Sequence, residues 1–110
     1  MQTIRTATVA QRLSRLALLY EKGQASELMD RTLDKLLTHE AEQSQAQLDE
    51  LTAELSEIEQ KYGMTSDEFY RRFQAGQTDD RMDFVEWASL AQMAVNLRQR
   101  LRLLVGEAVQ

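Results

Sequence analysis

One long stretch of this sequence lacks any residue that would interrupt a helix. Between Ser26 and Tyr62 there is no glycine, and the chain of 110 residues has no proline at all. Within the stretch, apolar or small residues recur at alternating spacings of four and three, which is the heptad pattern of a helix that packs along a narrow stripe. These residues are Leu37, Ala41, Ser44, Leu48, Leu51, Leu55, Ile58 and Tyr62. The stretch therefore predicts one long helix with a partner helix beside it.

A second heptad pattern, near the end of the sequence, supplies that partner. Its positions are Trp87, Leu90, Ala94, Leu97, Leu101 and Leu104. Residues 37–63 carry seven acidic side chains and one lysine, whereas the last helix carries Arg98, Arg100 and Arg102. Two parallel copies of the long helix would bring like charges together, so pairing with the last helix is favoured. We expect an all-α protein in which residues 37–105 form a long antiparallel helical hairpin.

The segment between the two heptad patterns predicts a corner built around a short helix. Residues 61–87, which include this segment and the heptad residues at its two ends, contain six of the seven aromatic residues of the chain. Gly63 is placed to end the long helix in a left-handed conformation. Thr65 and Glu68 match a capping box, in which each side chain binds the other residue's backbone N–H. Met64 and Phe69 have the spacing of a hydrophobic staple across the start of the short helix.

The last helix has its own predicted start signal. Asp83 and Glu86 have capping-box spacing, with aspartate in the capping position. The aromatic side chains of the corner recur at helical spacing, which favours core packing over a ligand pocket or a base-stacking surface. We expect the inside of the corner to be filled by Phe69, Phe73, Phe84 and Trp87.

An amphipathic helix is predicted near the N-terminus. Val9, Leu13, Leu16 and Tyr20 recur on one helical face. Thr8 can cap this helix, and the Lys22–Gly23 pair has the composition of a helix end. Ser26 can then cap the long helix. The β-branched residues among 2–8 are compatible with a short strand and equally with a frayed arm.

Composition excludes several classes of site. The chain has no cysteine, so disulfides and thiolate metal sites are ruled out. No apolar run approaches the about 20 residues of a membrane span, and the first residues do not resemble a signal peptide, so we expect a cytoplasmic protein.

His39 is interpreted as a surface residue, and Asp79 and Asp80 as turn and capping residues. No catalytic residue, metal ligand or cofactor site is predicted, and we expect a protein that is not an enzyme.

Two surfaces are predicted to bind a partner protein. The long helix should present an acidic face that includes Glu50, Glu54 and Glu57, and opposite charge on a basic partner would steer association with it. Tyr70, Arg71 and Arg72 on the short helix form a second candidate contact.

The first third of the chain gives an alternative function. The order of TIRTATV, a helix, a turn and SELMDRTLDKLL resembles that of ribbon-helix-helix repressors. In that family, paired strands from two chains enter the major groove of DNA. The resemblance implies base contacts from Thr3 and Arg5, with Ala7 at a third, weaker position. Residues 1–36 are therefore predicted to dimerise or to contact DNA, within a single helical domain that spans residues 1–110.

A broader resemblance covers roughly residues 26–104. The segment KYGMTSDEFYRRFQAGQTDDRMDFVEWASL, with the helix before it, resembles a group of small uncharacterised prokaryotic proteins that are similar to antitoxin-like partners of toxin–antitoxin pairs. The resemblance implies a non-enzymatic antitoxin-like protein or adaptor, and the acidic face suits a basic toxin-like partner. Because a chain of this size buries only a small core, we also expect a homodimer. The alternative is a purely structural helical dimerisation module.

Overall fold

Residues 7–106 are described by the computed structural model, and within that range the chain forms four helices. They are α1 (Val9–Glu21), α2 (Glu27–Tyr62), α3 (Ser66–Gln74) and α4 (Met82–Val105). The prediction of an all-α protein is confirmed. The helices fall into two compact units that divide between residues 36 and 37, so that α2 begins in one unit and ends in the other.

The N-terminal unit begins with a capped helix. Thr8 Oγ1 accepts a hydrogen bond from the backbone N–H of Gln11 at 3.1 Å, and Gln11 Oε1 accepts one from the Thr8 N–H at 2.9 Å. This reciprocal pair satisfies two donors at the start of α1, so the predicted cap at Thr8 is confirmed. At the start of α2, Ser26 Oγ accepts a hydrogen bond from Met29 N at 3.1 Å, as predicted. Of residues 2–8, only Ala7 and Thr8 are described, so the predicted strand lies outside the described residues.

The two helices of this unit cover each other only in part. Leu16 of α1 and Met29 and Leu33 of α2 are half-buried, and no side chain of α1 is fully buried. The Tyr20 hydroxyl of α1 donates a hydrogen bond of 2.7 Å to Asp30 Oδ1 of α2. That bond raises the pKa of Tyr20, because loss of the proton would place two negative charges side by side. The unit therefore has a polar link between its helices and a thin apolar contact.

In the C-terminal unit, α2 and α4 run antiparallel. Arg100, near the end of α4, donates a hydrogen bond of 3.0 Å to Ser44 Oγ and forms an ion pair with Glu40. At the other end of the pair, the Tyr62 hydroxyl donates a hydrogen bond of 3.1 Å to Asp83 Oδ2. These contacts join the first part of one helix to the last part of the other. The predicted helical hairpin is confirmed.

The heptad residues of the two helices form the core of this unit. The buried side chains of the cluster are Leu48, Leu51, Leu55, Phe69, Trp87, Ala88 and Ala94. Ser44 is also buried, and its hydroxyl is satisfied by Arg100, which explains a serine at a heptad position. Leu37 was expected in the same stripe but is 46% exposed. Arg100 already lies beside Ser44 and α4 ends at Val105, so α4 does not extend far enough along α2 to cover Leu37.

The corner is formed much as predicted, with one exception. Gly63 has a positive φ of 63°, which permits the left-handed turn after α2. Thr65 Oγ1 accepts a hydrogen bond from Glu68 N at 3.1 Å, so Thr65 caps α3. The predicted reciprocal bond, from the Thr65 backbone N–H to the Glu68 side chain, is wrong. The Glu68 carboxylate pairs instead with Arg71 and Arg72 of the next turn. Two nearby cations compete successfully with the single backbone donor.

The start of α4 also differs from the prediction. The helix begins at Met82, with Arg81 in the capping position and no side-chain cap. Asp83 therefore does not cap the helix, and the predicted Asp83–Glu86 box is wrong. The Asp83 carboxylate instead accepts the hydrogen bond from the Tyr62 hydroxyl, and its Oδ2 lies 3.8 Å from Lys61 Nζ. A longer-range contact across the corner thus replaces the local cap.

Trp87 fills the inside of the corner. Its ring stacks on Phe69 with centroids 3.9 Å apart and an angle of 4° between the planes, and both side chains are 1% exposed. The indole Nε1–H donates a hydrogen bond of 2.9 Å to Ser66 Oγ. Phe73 and Phe84 are half-buried against the same cluster. The predicted aromatic core of the corner is confirmed.

No helix between residues 7 and 106 combines the length and the apolar character needed to cross a membrane.

We expect Trp87→Ala to lower the free energy of unfolding by about 3–5 kcal/mol, because it leaves a cavity beside Phe69 and removes the partner of Ser66. Denaturant unfolding followed by circular dichroism measures the loss. Trp87→Phe is the control that keeps an aromatic ring and removes the hydrogen bond, and it should cost clearly less. A loss below about 1 kcal/mol for Trp87→Ala would contradict a core role.

Candidate functional site

The predicted acidic face lies on the exposed side of α2. We define the acidic face as Glu50, Glu54 and Glu57, which are spaced by four and three residues and therefore share one side of the helix. All three side chains are exposed. The buried residues Leu51 and Leu55 of the same helix point into the hairpin. The heptad pattern that buries Leu51 and Leu55 thus leaves the acidic face beside it exposed to solvent.

None of these three carboxylates takes part in an ion pair with another residue of 7–106. The arginine that the hairpin uses, Arg100, pairs with Glu40 instead. Neighbouring unpaired charges of one sign create a negative potential that extends into solvent and attracts cations or basic surfaces. The acidic face can therefore attract a partner by charge, although its residues form no pocket and no catalytic arrangement.

The second predicted contact, Tyr70–Arg71–Arg72, is largely occupied by internal bonds. The Tyr70 hydroxyl donates a hydrogen bond of 2.6 Å to Gln92 Oε1 and so links α3 to α4. Both arginines pair with Glu68 on their own helix. The hydrogen bond from Arg72 and the charge of Arg71 lower the pKa of Glu68 below its usual value. The positive charge of this group is therefore partly neutralised, and the acidic face is the clearer binding surface.

An aspartate of the turn before α4 also has an internal role. Asp79 Oδ1 accepts hydrogen bonds from the Arg81 backbone N–H at 3.2 Å and from Arg81 Nε at 3.3 Å. These bonds lower the pKa of Asp79, the side-chain bond contributing most. Arg81 in turn lies over the Phe84 ring, with its guanidinium carbon 4.6 Å from the ring centroid. The turn is thus organised by its own charges.

A polar cleft of about 290 Å³ lies between α2, the start of α3 and α4. Glu59 lines it and accepts a hydrogen bond of 2.8 Å from the Ser66 backbone N–H, which makes Glu59 a second cap of α3. Sequence reasoning missed this role, because the bond joins residues of two different helices. Across residues 7–106 no group of three or more histidine or carboxylate side chains could hold a metal ion, and His39 is exposed.

An apolar groove runs between α3 and α4, with a volume of about 520 Å³. Tyr70 and Phe73 of α3 and Ala88 and Met93 of α4 contribute to its walls. Met93 is 49% exposed. The heptad pattern did not indicate this groove, because Met93 lies outside the heptad positions.

The predicted DNA-contact residues, Thr3 and Arg5, lie outside the described residues, so base contact remains a prediction from the sequence.

Comparisons with models of protein families, with curated proteins and with solved structures each find no match for this chain. The resemblance to antitoxin-like proteins therefore remains a prediction that rests on the sequence pattern.

The ion pairs of Glu68 lead to a pH-dependent prediction. The pKa of Glu68 is lower in the folded protein than in the unfolded chain. Ionised Glu68 therefore stabilises the fold at pH values above the ordinary glutamate pKa of about 4.3. This contribution is lost as the pH falls through the lower pKa of the folded state. We expect Glu68→Gln to reduce stability at neutral pH and to lose less stability than the wild type on acidification. Unfolding free energies measured from neutral to acidic pH test this.

Glu57→Gln is the matched control, since Glu57 is an exposed glutamate of the acidic face without an ion pair among residues 7–106. An acid response of Glu68→Gln identical to that of the wild type would contradict a stabilising role for these pairs.

Proposed function

We propose that this protein is a non-enzymatic, antitoxin-like adaptor that binds a basic partner protein through the acidic face of α2. One observation carries the proposal: Glu50, Glu54 and Glu57 are exposed together and have no ion-pair partner among residues 7–106. In this proposal the protein acts in the cytoplasm as a homodimer, and it needs no cofactor.

Charge supports a basic partner over an acidic or neutral one. Residues 37–63 carry seven acidic side chains and one lysine, while the whole chain has a net charge of −5. The negative charge is thus concentrated in the part of α2 that includes the acidic face. Such a concentration accelerates encounter with a positive surface and repels a negative one. A basic toxin-like protein has the complementary charge.

The rigidity of the helix beneath the acidic face also supports a binding role. Leu51 and Leu55 anchor this part of α2 in the core against Trp87 and Ala94. The backbone that carries the three carboxylates is therefore already ordered before a partner arrives. A preordered surface loses little backbone entropy on binding, which favours affinity. A purely structural dimerisation module would have no need of three neighbouring unpaired carboxylates on its rigid part.

The proposal predicts the effect of neutralising the acidic face. We expect the triple variant Glu50→Gln, Glu54→Gln, Glu57→Gln to bind a basic partner about tenfold more weakly, since each exposed ion pair contributes on the order of 0.2–1 kcal/mol. The partner to test is any small basic protein that proves to be encoded beside this gene, co-purified and then titrated calorimetrically. Binding by the wild type should weaken as salt is raised.

The control is a triple variant with the same change of net charge outside the acidic face, at three exposed acids without an ion pair among residues 7–106: Asp67→Asn, Asp80→Asn and Glu86→Gln. It should bind within about twofold of the wild type. Equal weakening by both triple variants would show that only total charge matters. Failure of the wild type to bind any basic neighbouring gene product would contradict the proposal itself.

A further inference from the structure

The N-terminal unit has an apolar surface that the other described residues leave half or more exposed. Within residues 7–36 no side chain is fully buried. Val9 and Leu13 of α1 are 62% and 51% exposed, and Leu28 and Leu36 of α2 are 66% and 52% exposed. By contrast, the C-terminal unit buries leucines and aromatic side chains almost completely. Apolar side chains of this size are rarely left in water together without a binding role.

A helix as short as α1 gains much of its stability from packing against other helices. α1 has 13 residues, and isolated helices shorter than about 12–15 residues are marginal in water. Units with fewer than about 40 residues usually depend on disulfides, metals or association with another chain. The sequence has no cysteine, and no metal-binding group occurs among residues 7–106. Association with another chain would add to the thin contact between α1 and α2.

We infer that a second copy of this chain covers the surface, with α1 of each copy packed against the first part of α2 of the other. The charges of the unit select this occupant. α1 and the residue after it carry Arg12, Arg15 and Lys22 against Glu21. A basic partner protein would be repelled from α1 and attracted to the acidic face, so it is not the occupant here.

The start of α2 carries the opposite excess of charge. Its residues 27–36 include the acids Glu27, Asp30 and Asp34 and the bases Arg31 and Lys35. When α1 lies against this segment of the other copy, a basic helix faces an acidic one, and burial of the exposed leucines is not opposed by like charge.

A two-fold symmetric dimer would leave neither apolar surface free to bind a third copy. In a symmetric dimer, a contact of α1 with the partner's α2 is matched by the reverse contact, so both apolar surfaces are covered at once. The result is four helices around a shared apolar centre, which two helices of one chain cannot form. Each copy contributes only two helical segments to the interface, which is therefore small. We expect the dimer to dissociate at about micromolar concentrations.

This inference specifies the homodimer of the proposed function and is independent of the acidic face. It is tested on the pure full chain, with no partner protein present. Sedimentation equilibrium from about micromolar to about millimolar concentration should show a monomer–dimer equilibrium for the wild type. A chain that remains monomeric over this range would overturn the inference and would leave the binding of a basic partner untouched.

Two leucines of α1 provide a matched pair of variants. Leu13 and Leu18 are 51% and 49% exposed, but they lie about 140° apart around the helix. Leu13 shares its face with Val9, whereas Leu18 does not. We expect Leu13→Gln to raise the dimer dissociation constant at least about tenfold and Leu18→Gln to change it less than about twofold. Equal effects, or a larger effect of Leu18→Gln, would overturn the inference.

Folding is followed separately in each variant. An unchanged helical signal in circular dichroism shows that α1 remains folded. Trp87 is the only tryptophan and is buried in the C-terminal unit, so an unchanged fluorescence spectrum shows that this second unit also remains folded. The double variant Arg12→Glu, Arg15→Glu keeps every apolar side chain but makes α1 acidic. It should also raise the dissociation constant at least about tenfold at low salt. An unchanged dissociation constant would overturn the pairing of α1 with α2 of the other copy.

Discussion

The contact between Trp87 and Phe69 holds the three helices of the C-terminal unit together. The two rings are parallel and fully buried, and the indole N–H satisfies the hydroxyl of Ser66 at the start of α3. Tyr62 at the end of α2 stacks on the other side of the indole, with centroids 5.5 Å apart. One side chain thus contacts the end of α2 and the start of α3 from its position on α4. The direction in which the chain leaves the corner depends on this packing.

The polar contacts around the corner favour the same arrangement. Tyr62 and Lys61 approach Asp83, Glu59 accepts a bond from Ser66, and Tyr70 reaches Gln92 on α4. At the far end of the hairpin, Arg100 joins Ser44 and Glu40. The bonds of Asp83 and Arg100 form only in one register of α2 against α4, whereas those of Glu59 and Tyr70 fix α3 against the two long helices. The apolar core provides most of the stability, whereas the polar bonds specify the register.

The same helix has different environments along its length. From Ser44 onward, α2 buries one face against α4 and presents the acidic face to solvent. Before residue 37 it contacts α1 through a few half-buried side chains, and apolar residues on both helices remain exposed. The two proposed contacts follow this division: a charged surface lies where the helix is already well packed, and an apolar surface lies where it is not. Charge suits rapid encounter with a different protein, and apolar burial suits association with a second copy.

The sequence by itself determined the helical class, the pairing of the two heptad patterns, the caps at Thr8, Ser26 and Thr65, and the exposure of the acidic face. These features depend on periodicity and on residues within one turn of each other, and such signals are local. The tertiary structure decided the roles of Glu59 and Asp83, whose partners lie on other helices, at distances across the corner that no local spacing encodes. Glu68 is different, because its partners Arg71 and Arg72 lie within one turn of it and compete locally with the backbone donor of the capping box. The exposure of Leu37 was likewise decided by where α4 ends relative to α2, because burial of a heptad residue requires a facing helix as well as the correct period.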